Sequence, residues 1–301
     1  TDSAASGTAL SAGIKTYNGA IGVDRDTLAI KTMLEWAEEK NMATGLVATS
    51  TVTHATPASF AAHVDYRKKE WQIAEQFAET EIDIILGGGK TFWPDKLIAE
   101  YENRGGQFIE SIDQRLNPDK RVLGLFAEGS LPTVHEGRNP TTTQMAEMAL
   151  NKLEQNQNGF FVMIEESQVD WGGHANSAEY IQGEMASLNE LINFTLDYQL
   201  SHPDVLVVLT ADHVCGGESV RNHSVSRCPV GMGFQDGDAR GGQRHRDLPL
   251  VQRKYGTAGP CGLPRSGTTG PGVPPHGRPI PAARAGRAGD GRCDRRRLFH
   301  I

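Results

Sequence analysis

The sequence predicts an α/β protein with a mostly parallel central sheet sandwiched between helices. Short, continuous apolar runs recur through the first two thirds of the chain, and stretches with helical periodicity separate them. Strands apolar on both faces need cover on both, and helices between such strands give parallel pairing. One of these runs closes on Gly87-Gly88-Gly89, a natural exit from a sheet.

Residues 4–11 read as a helix behind the small-residue opening Thr1-Asp2-Ser3-Ala4-Ala5-Ser6-Gly7-Thr8. Residues 31–40 form an amphipathic pattern, and the apolar run 45–49 reads as a strand. Residues 68–79 are again helical, and 82–86 form a buried strand. A helix over 141–154 carries Met145, Met148, Ala149 and Leu150, and 160–164 is a strand. A long helix covers 177–200, and 205–209 closes the series as a strand. Gly89-Lys90-Thr91 echoes a phosphate-binding loop, but that pattern needs a glycine where Ile84 stands, so a strand-ending turn is expected.

Composition divides the chain near residue 218. Up to Glu218 there are 15 basic and 32 acidic residues, and from Ser219 onward 15 basic and 5 acidic. The second part is rich in Arg, Gly and Pro without helix or strand period, which predicts a disordered or frame-shifted tail over 219–301 behind a catalytic core over 1–218. It has few aromatics to stack on bases, so no nucleic-acid partner is expected. Cys215, Cys228, Cys261 and Cys293 show no zinc-type spacing, and no run is long enough to span a membrane.

In a parallel sheet, ligands gather at the carboxyl ends of the strands, and the chemistry-bearing residues fall there. Ser3 opens a helix whose N-terminus favours phosphate or an ionised nucleophile, and it also has the makings of an N-cap. Glu165 ends a strand, and Asp170 and His174 follow at a spacing that puts both on one helical face. Asp212-His213 follows the last strand, where a turn Asp with a surface His is the alternative. Thr56 offers a hydroxyl to a hard cation or caps the helix that Pro57 starts. Arg67 is a phosphate clamp or a solvated charge at a helix start. Carboxylate with imidazole suits zinc, and carboxylate with hydroxyl suits magnesium. Together these residues describe two close metals and an oxygen nucleophile, the arrangement for in-line phosphoryl displacement.

From Thr1 to about Gly217 the chain resembles the bacterial alkaline phosphatases. Asp2-Ser3-Ala4-Ala5-Ser6 is similar to the family's nucleophile segment, which implies that Ser3 forms a phosphoserine. The stretch from Thr56 to Arg67 resembles the one holding the magnesium Thr and the phosphate-binding Arg. The resemblance makes Glu165 the magnesium Glu, Asp170 and His174 ligands of one zinc, and Asp212, His213 and Ser3 ligands of the other. It implies two Zn2+, one Mg2+ and a three-layer α/β fold, incomplete at both ends. Small phosphomonoesters are the implied substrates, with inorganic phosphate released, from a homodimer that is periplasmic or secreted.

Asp2, His54 and Trp171 are implied as tuning groups behind the ligands, His54 and Trp171 being similar to a subgroup of the family. Cys215 departs from the family's usual run after Asp-His. The bridging Asp is expected upstream of Thr1, and the last zinc His has no assigned counterpart; His276 lies at a fitting distance in unfamiliar surroundings. The expected reaction is attack by Ser3 on phosphorus, then attack by water from the opposite side, with net retention. Two rival readings remain: a non-catalytic remnant of such an enzyme, favoured by the missing Asp and His, and a sulfatase or phosphodiesterase of the same superfamily.

Overall fold

The computed structural model describes residues 1–214 and the strand Arg297–His300, the latter by its backbone alone. The order is α1 (Ser3–Ala12), α2 (Met33–Glu39), β1 (Ala43–Thr51), α3 (Ala55–Ala58), α4 (Glu70–Glu79), β2 (Ile84–Gly88), a 3₁₀ turn (Lys90–Phe92), α5 (Asp95–Asn103), β3 (Gly106–Ile109) and β4 (Arg121–Leu125). There follow α6 (Thr142–Leu153), β5 (Phe160–Glu165), α7 (Gln168–His174), α8 (Ala178–Ser201), β6 (Val205–Val208) and β7 (Arg297–His300). Seven strands pair in the order β3-β4-β2-β1-β5-β7-β6, every pair parallel. The predicted class stands.

Alternation along the buried strands divides the core into two layers. Leu46, Ile85, Leu123, Phe161 and Met163 meet α2, α4 and α5 through Leu34, Phe77 and Tyr101 on one face. Val47, Ile84, Leu86, Phe160, Val162 and Ile164 meet Met145, Ala149 and Leu150 of α6 and Leu191 of α8 on the other. Phe161 stacks on Phe60 with ring centroids 5.9 Å apart. Gly45 lies where α6 crosses β1, and a Cβ there would stand 2.9 Å from Leu153 Cδ1.

Local chemistry sets the helix ends. Thr32 with Glu35 and Thr141 with Gln144 each form reciprocal caps that satisfy amides a helix start leaves unpaired. Gly13 ends α1 in the left-handed conformation, its amide donating to Ala9 O at 2.9 Å. Glu70 accepts from the hydroxyls of Thr51 and Thr53, both at 2.7 Å, and so ties the exit of β1 to α4.

Three observed elements lie in a stretch where the sequence predicted none. These are α5, β3 and β4. Arg297–His300 forms a strand between β5 and β6, although its composition shows no strand period. The four cysteines and His276 lie outside the described residues. Among the described residues no helix is long and apolar enough to cross a membrane.

Phe161→Ala is expected to cost about 3–5 kcal/mol, the usual price of emptying an aromatic site in a close-packed core; urea unfolding checks it. Burial pushes the Glu38 carboxyl up to about 7, with Glu35, Asp83 and Glu81 adding repulsion and Thr44 opposing it. Because the folded value exceeds the unfolded one, this contribution to stability is full below about 4.5 and is lost as pH rises through about 7. Glu38→Gln should flatten that part of the stability–pH curve, leaving the variant ahead above pH 7. Parallel urea midpoints across the range test this.

Candidate active site

Asp2 organises the start of α1. It is the N-cap, its Oδ1 accepting from the Ala5 amide at 3.1 Å and from the Gly19 amide at 3.1 Å. Ser3 is therefore the first helical residue, not the cap. Its Oγ stands 2.9 Å from His213 Nε2. Burial opposes ionisation of Asp2, but the two amides and Arg67 outweigh it and hold the carboxyl below its ordinary value.

Arg67 lies ahead of α4 with its amide bonded to Gly19 O, so it is not a helix-start charge. Its guanidinium donates to Asp2 Oδ2 at 3.2 Å and to His54 Nε2 at 3.2 Å. Arginine has only donors, so Nε2 of His54 is the accepting nitrogen and the ring proton belongs on Nδ1. Burial, reinforced by the Arg67 charge, lowers His54 to about 4 and keeps the ring neutral. The Trp171 ring meets it edge-on at 5.8 Å. Asp2 and His54 thus hold the Arg67 guanidinium from two sides.

At the end of β5, Glu165 Oε2 accepts from Ser167 Oγ at 2.5 Å and Ser50 Oγ at 3.4 Å. Burial lifts this carboxyl above its ordinary range and the Asp212 charge adds to it, while hydroxyls, that of Thr56 included, work the other way. Thr56 sits inside α3, which begins at Ala55, so it is not the cap. Its Oγ1 is buried without a hydrogen bond of ordinary geometry. A largely buried carboxylate beside the Thr56 hydroxyl is an all-oxygen donor set that fits magnesium. Ser50 and Ser167 were missed in the sequence; a hydroxyl two residues beyond Glu165 was the available signal.

Asp170 and His174 share α7 as their spacing predicted, with His174 Nε2 3.5 Å from Asp170 Oδ2. His213 reaches both acids, its Nε2 3.6 Å from Asp212 Oδ2 and its Nδ1 4.0 Å from Asp170 Oδ1. Among the described residues no group of three or more His, Cys, Asp or Glu side chains is arranged to hold a metal ion. The carboxylate–imidazole pairs have the chemistry zinc takes, at two such groups per pair.

A cavity of about 350 Å3 collects Ser3, His54, Thr56, Glu165, Asp170, Trp171, Asp212 and His213. Asp2 and Arg67 adjoin it through His54, and the exposed His174 adjoins it through Asp170. The eleven residues singled out in the sequence therefore meet at one sheet edge.

Comparison with known proteins identifies the family. The family model described as alkaline phosphatase matches residues 1–231. Alkaline phosphatase 3 of Bacillus subtilis is 44% identical over 232 residues, which are 73% of this chain and 50% of that protein. The alkaline phosphatase of Escherichia coli is 33% identical over 73% of this chain and 59% of its own. The solved alkaline phosphatase of the Antarctic bacterium TAB5 superposes with a TM-score of 0.63 at 35% identity, covering 67% of this chain and 62% of that one. A variant of that enzyme was solved with Mg bound in its M3 site. The chain spans about half the length of the Bacillus relative. A family match over three quarters of the sequence, with relatives this similar in sequence and fold, establishes that the chain belongs to the alkaline phosphatase family.

Proposed function

We propose that the protein is a metal-dependent phosphomonoester hydrolase working through a phosphoserine. The observation that carries this reading is Ser3. Asp2 takes over the capping role, which leaves the Ser3 hydroxyl facing His213, with the Arg67 guanidinium bonded to the adjacent Asp2. Thr56 and Glu165 would hold magnesium, and Asp170 with His174 and Asp212 with His213 would supply two zinc sites. When bound, the metals lower the pKa of the serine hydroxyl and neutralise charge on the transferring phosphoryl group.

The chain's own groups then have separable roles. The amides at the start of α1 and the Arg67 fork orient the phosphoryl oxygens. Ser3 Oγ forms a bond to phosphorus as the bond to the leaving oxygen breaks, and the alcohol departs. Water attacks from the vacated side, breaking the Ser3–phosphorus bond and releasing inorganic phosphate. His54, neutral and buried, adds no positive charge that would compete for phosphate and keeps Arg67 aimed. Small phosphomonoesters fit because the recognised group is the phosphate itself. The family resemblance supports a homodimer that is exported to the periplasm or secreted, and composition supports a core over 1–218 ahead of a stretch of different composition, from which Arg297–His300 joins the core sheet.

Ser3→Ala should abolish acid-stable phosphoprotein and cut turnover by roughly two orders of magnitude or more. Radiolabelled phosphate mapped to any other residue would sink the assignment. Arg67→Ala should raise KM and the inhibition constant of inorganic phosphate about 10- to 100-fold, as expected for losing a charge-assisted hydrogen bond of ~1.5–3 kcal/mol. The change in kcat should be smaller; an unchanged phosphate constant would remove Arg67 from the clamp role.

A further inference from the structure

Behind the candidate ligands lies a buried charge cluster that the mechanism does not use. Arg138 precedes α6 on the loop from β4, and its side chain is 2% exposed. Its guanidinium donates to Glu166, just past the end of β5, and to Glu184 Oε2 of α8 at 2.5 Å. These carboxylates are 2% and 0% exposed. Arg138 Nε donates to Pro132 O at 2.9 Å, and the other Glu184 oxygen accepts from the Val134 amide at 3.0 Å. The free oxygen of Glu166 accepts from Ser187 Oγ of α8 at 3.2 Å. Every oxygen of both acids is satisfied, so the cluster is a finished structure.

What it fixes is the distance between two elements. A planar fork gripping a carboxylate from each sets the β5 exit and α8 at a defined separation, which a point charge cannot do. The seven-residue α7 lies between them in the chain and rests on α8. Tyr180 Oη of α8 donates to Gln168 Oε1 at 2.7 Å, and Gly172 packs so closely that a Cβ would meet the Ile181 amide nitrogen at 3.0 Å. Asp170 and His174 ride on this short helix.

We infer that Arg138 is a positioning residue for the metal-ligand helix α7, acting by clamping α8 to the exit of β5 through Glu184 and Glu166. The inference rests on the phosphatase reading of the site. An outer support of this kind changes metal retention about 10- to 100-fold when it is removed. A support serving only the fold would lower melting temperature and leave metal release alone.

The test compares variants of the full protein loaded with Zn2+ and then challenged with a chelator. Arg138→Lys keeps the buried positive charge but loses the fork. It should release metal at least about tenfold faster and lower kcat, with KM for p-nitrophenyl phosphate nearly unchanged. Leu150→Ala, a core truncation in α6, should lower melting temperature and release metal at the wild-type rate. Wild-type release and kcat in Arg138→Lys would overturn the inference, as would equal acceleration in both variants. Losing one member of a buried ion cluster can unfold a protein. If Arg138→Lys does not fold, the neutral combination Arg138→Met, Glu166→Gln and Glu184→Gln is read by the same criteria. Failure of that variant to fold as well would make the cluster a folding requirement and overturn the positioning role. A wild-type protein that retains no Zn2+ and hydrolyses no ester would sink the site reading itself, a result visible before any variant is made.

Discussion

The pairing of β1 with β5 sets the geometry on which the site depends. Six residues run in parallel register from Ala43 opposite Phe160 to Ala48 opposite Glu165, all but the last buried on both strands. Because the strands point the same way, the chain leaves both at one edge. The exit of β1 delivers Ser50, His54 and Thr56, and the exit of β5 delivers Glu165, Ser167 and α7. A slip of one residue would move Glu165 from the face of Phe161 and Met163 to that of Val162 and Ile164, away from its hydroxyl partners. The hydrophobic alternation that fills the two core layers therefore also places the oxygen-bearing side chains of the candidate site.

Electrostatics in this edge works by unequal pairing. Acids outnumber the cations that face them: Arg67 serves Asp2, while Glu165 has hydroxyls for partners and lies near Asp212. That arrangement costs stability in isolation and suits a place where cations bind. Burial acts on His54 in the same sense, disfavouring its charged form so that the ring can accept from Arg67.

Much of this was legible in the sequence because the signals were local. The i, i+4 spacing of Asp170 and His174 survives as a shared face of α7, and the apolar runs of β1, β2, β5 and β6 appear within a few residues of their predicted limits. The helix α5 was missed although Leu97, Ile98 and Tyr101 carry a helical pattern, and β4 was missed although Val122, Leu123 and Leu125 form an apolar run. Those omissions were failures of reading. The capping role was different. Ser3 and Thr56 both have the chemistry of a cap, and only the backbone of Asp2 and Ala55 shows that neither acts as one. Long-range pairs such as Arg138 with Glu184, 46 positions apart, leave no trace in spacing at all.

Asp2 serves three partners at once: the Ala5 amide, the Gly19 amide and the Arg67 guanidinium. Helix start, neighbouring loop and the Arg67 side chain therefore share one carboxylate. Any change at Arg67 also releases a negative charge beside Ser3, and any change at Asp2 loosens the Arg67 guanidinium. The two positions are thermodynamically coupled and their effects should not add. A lineage varying this scaffold would meet that coupling as a ruggedness in its path: each residue is confined by the other, and the accessible routes are those in which both change together or neither does.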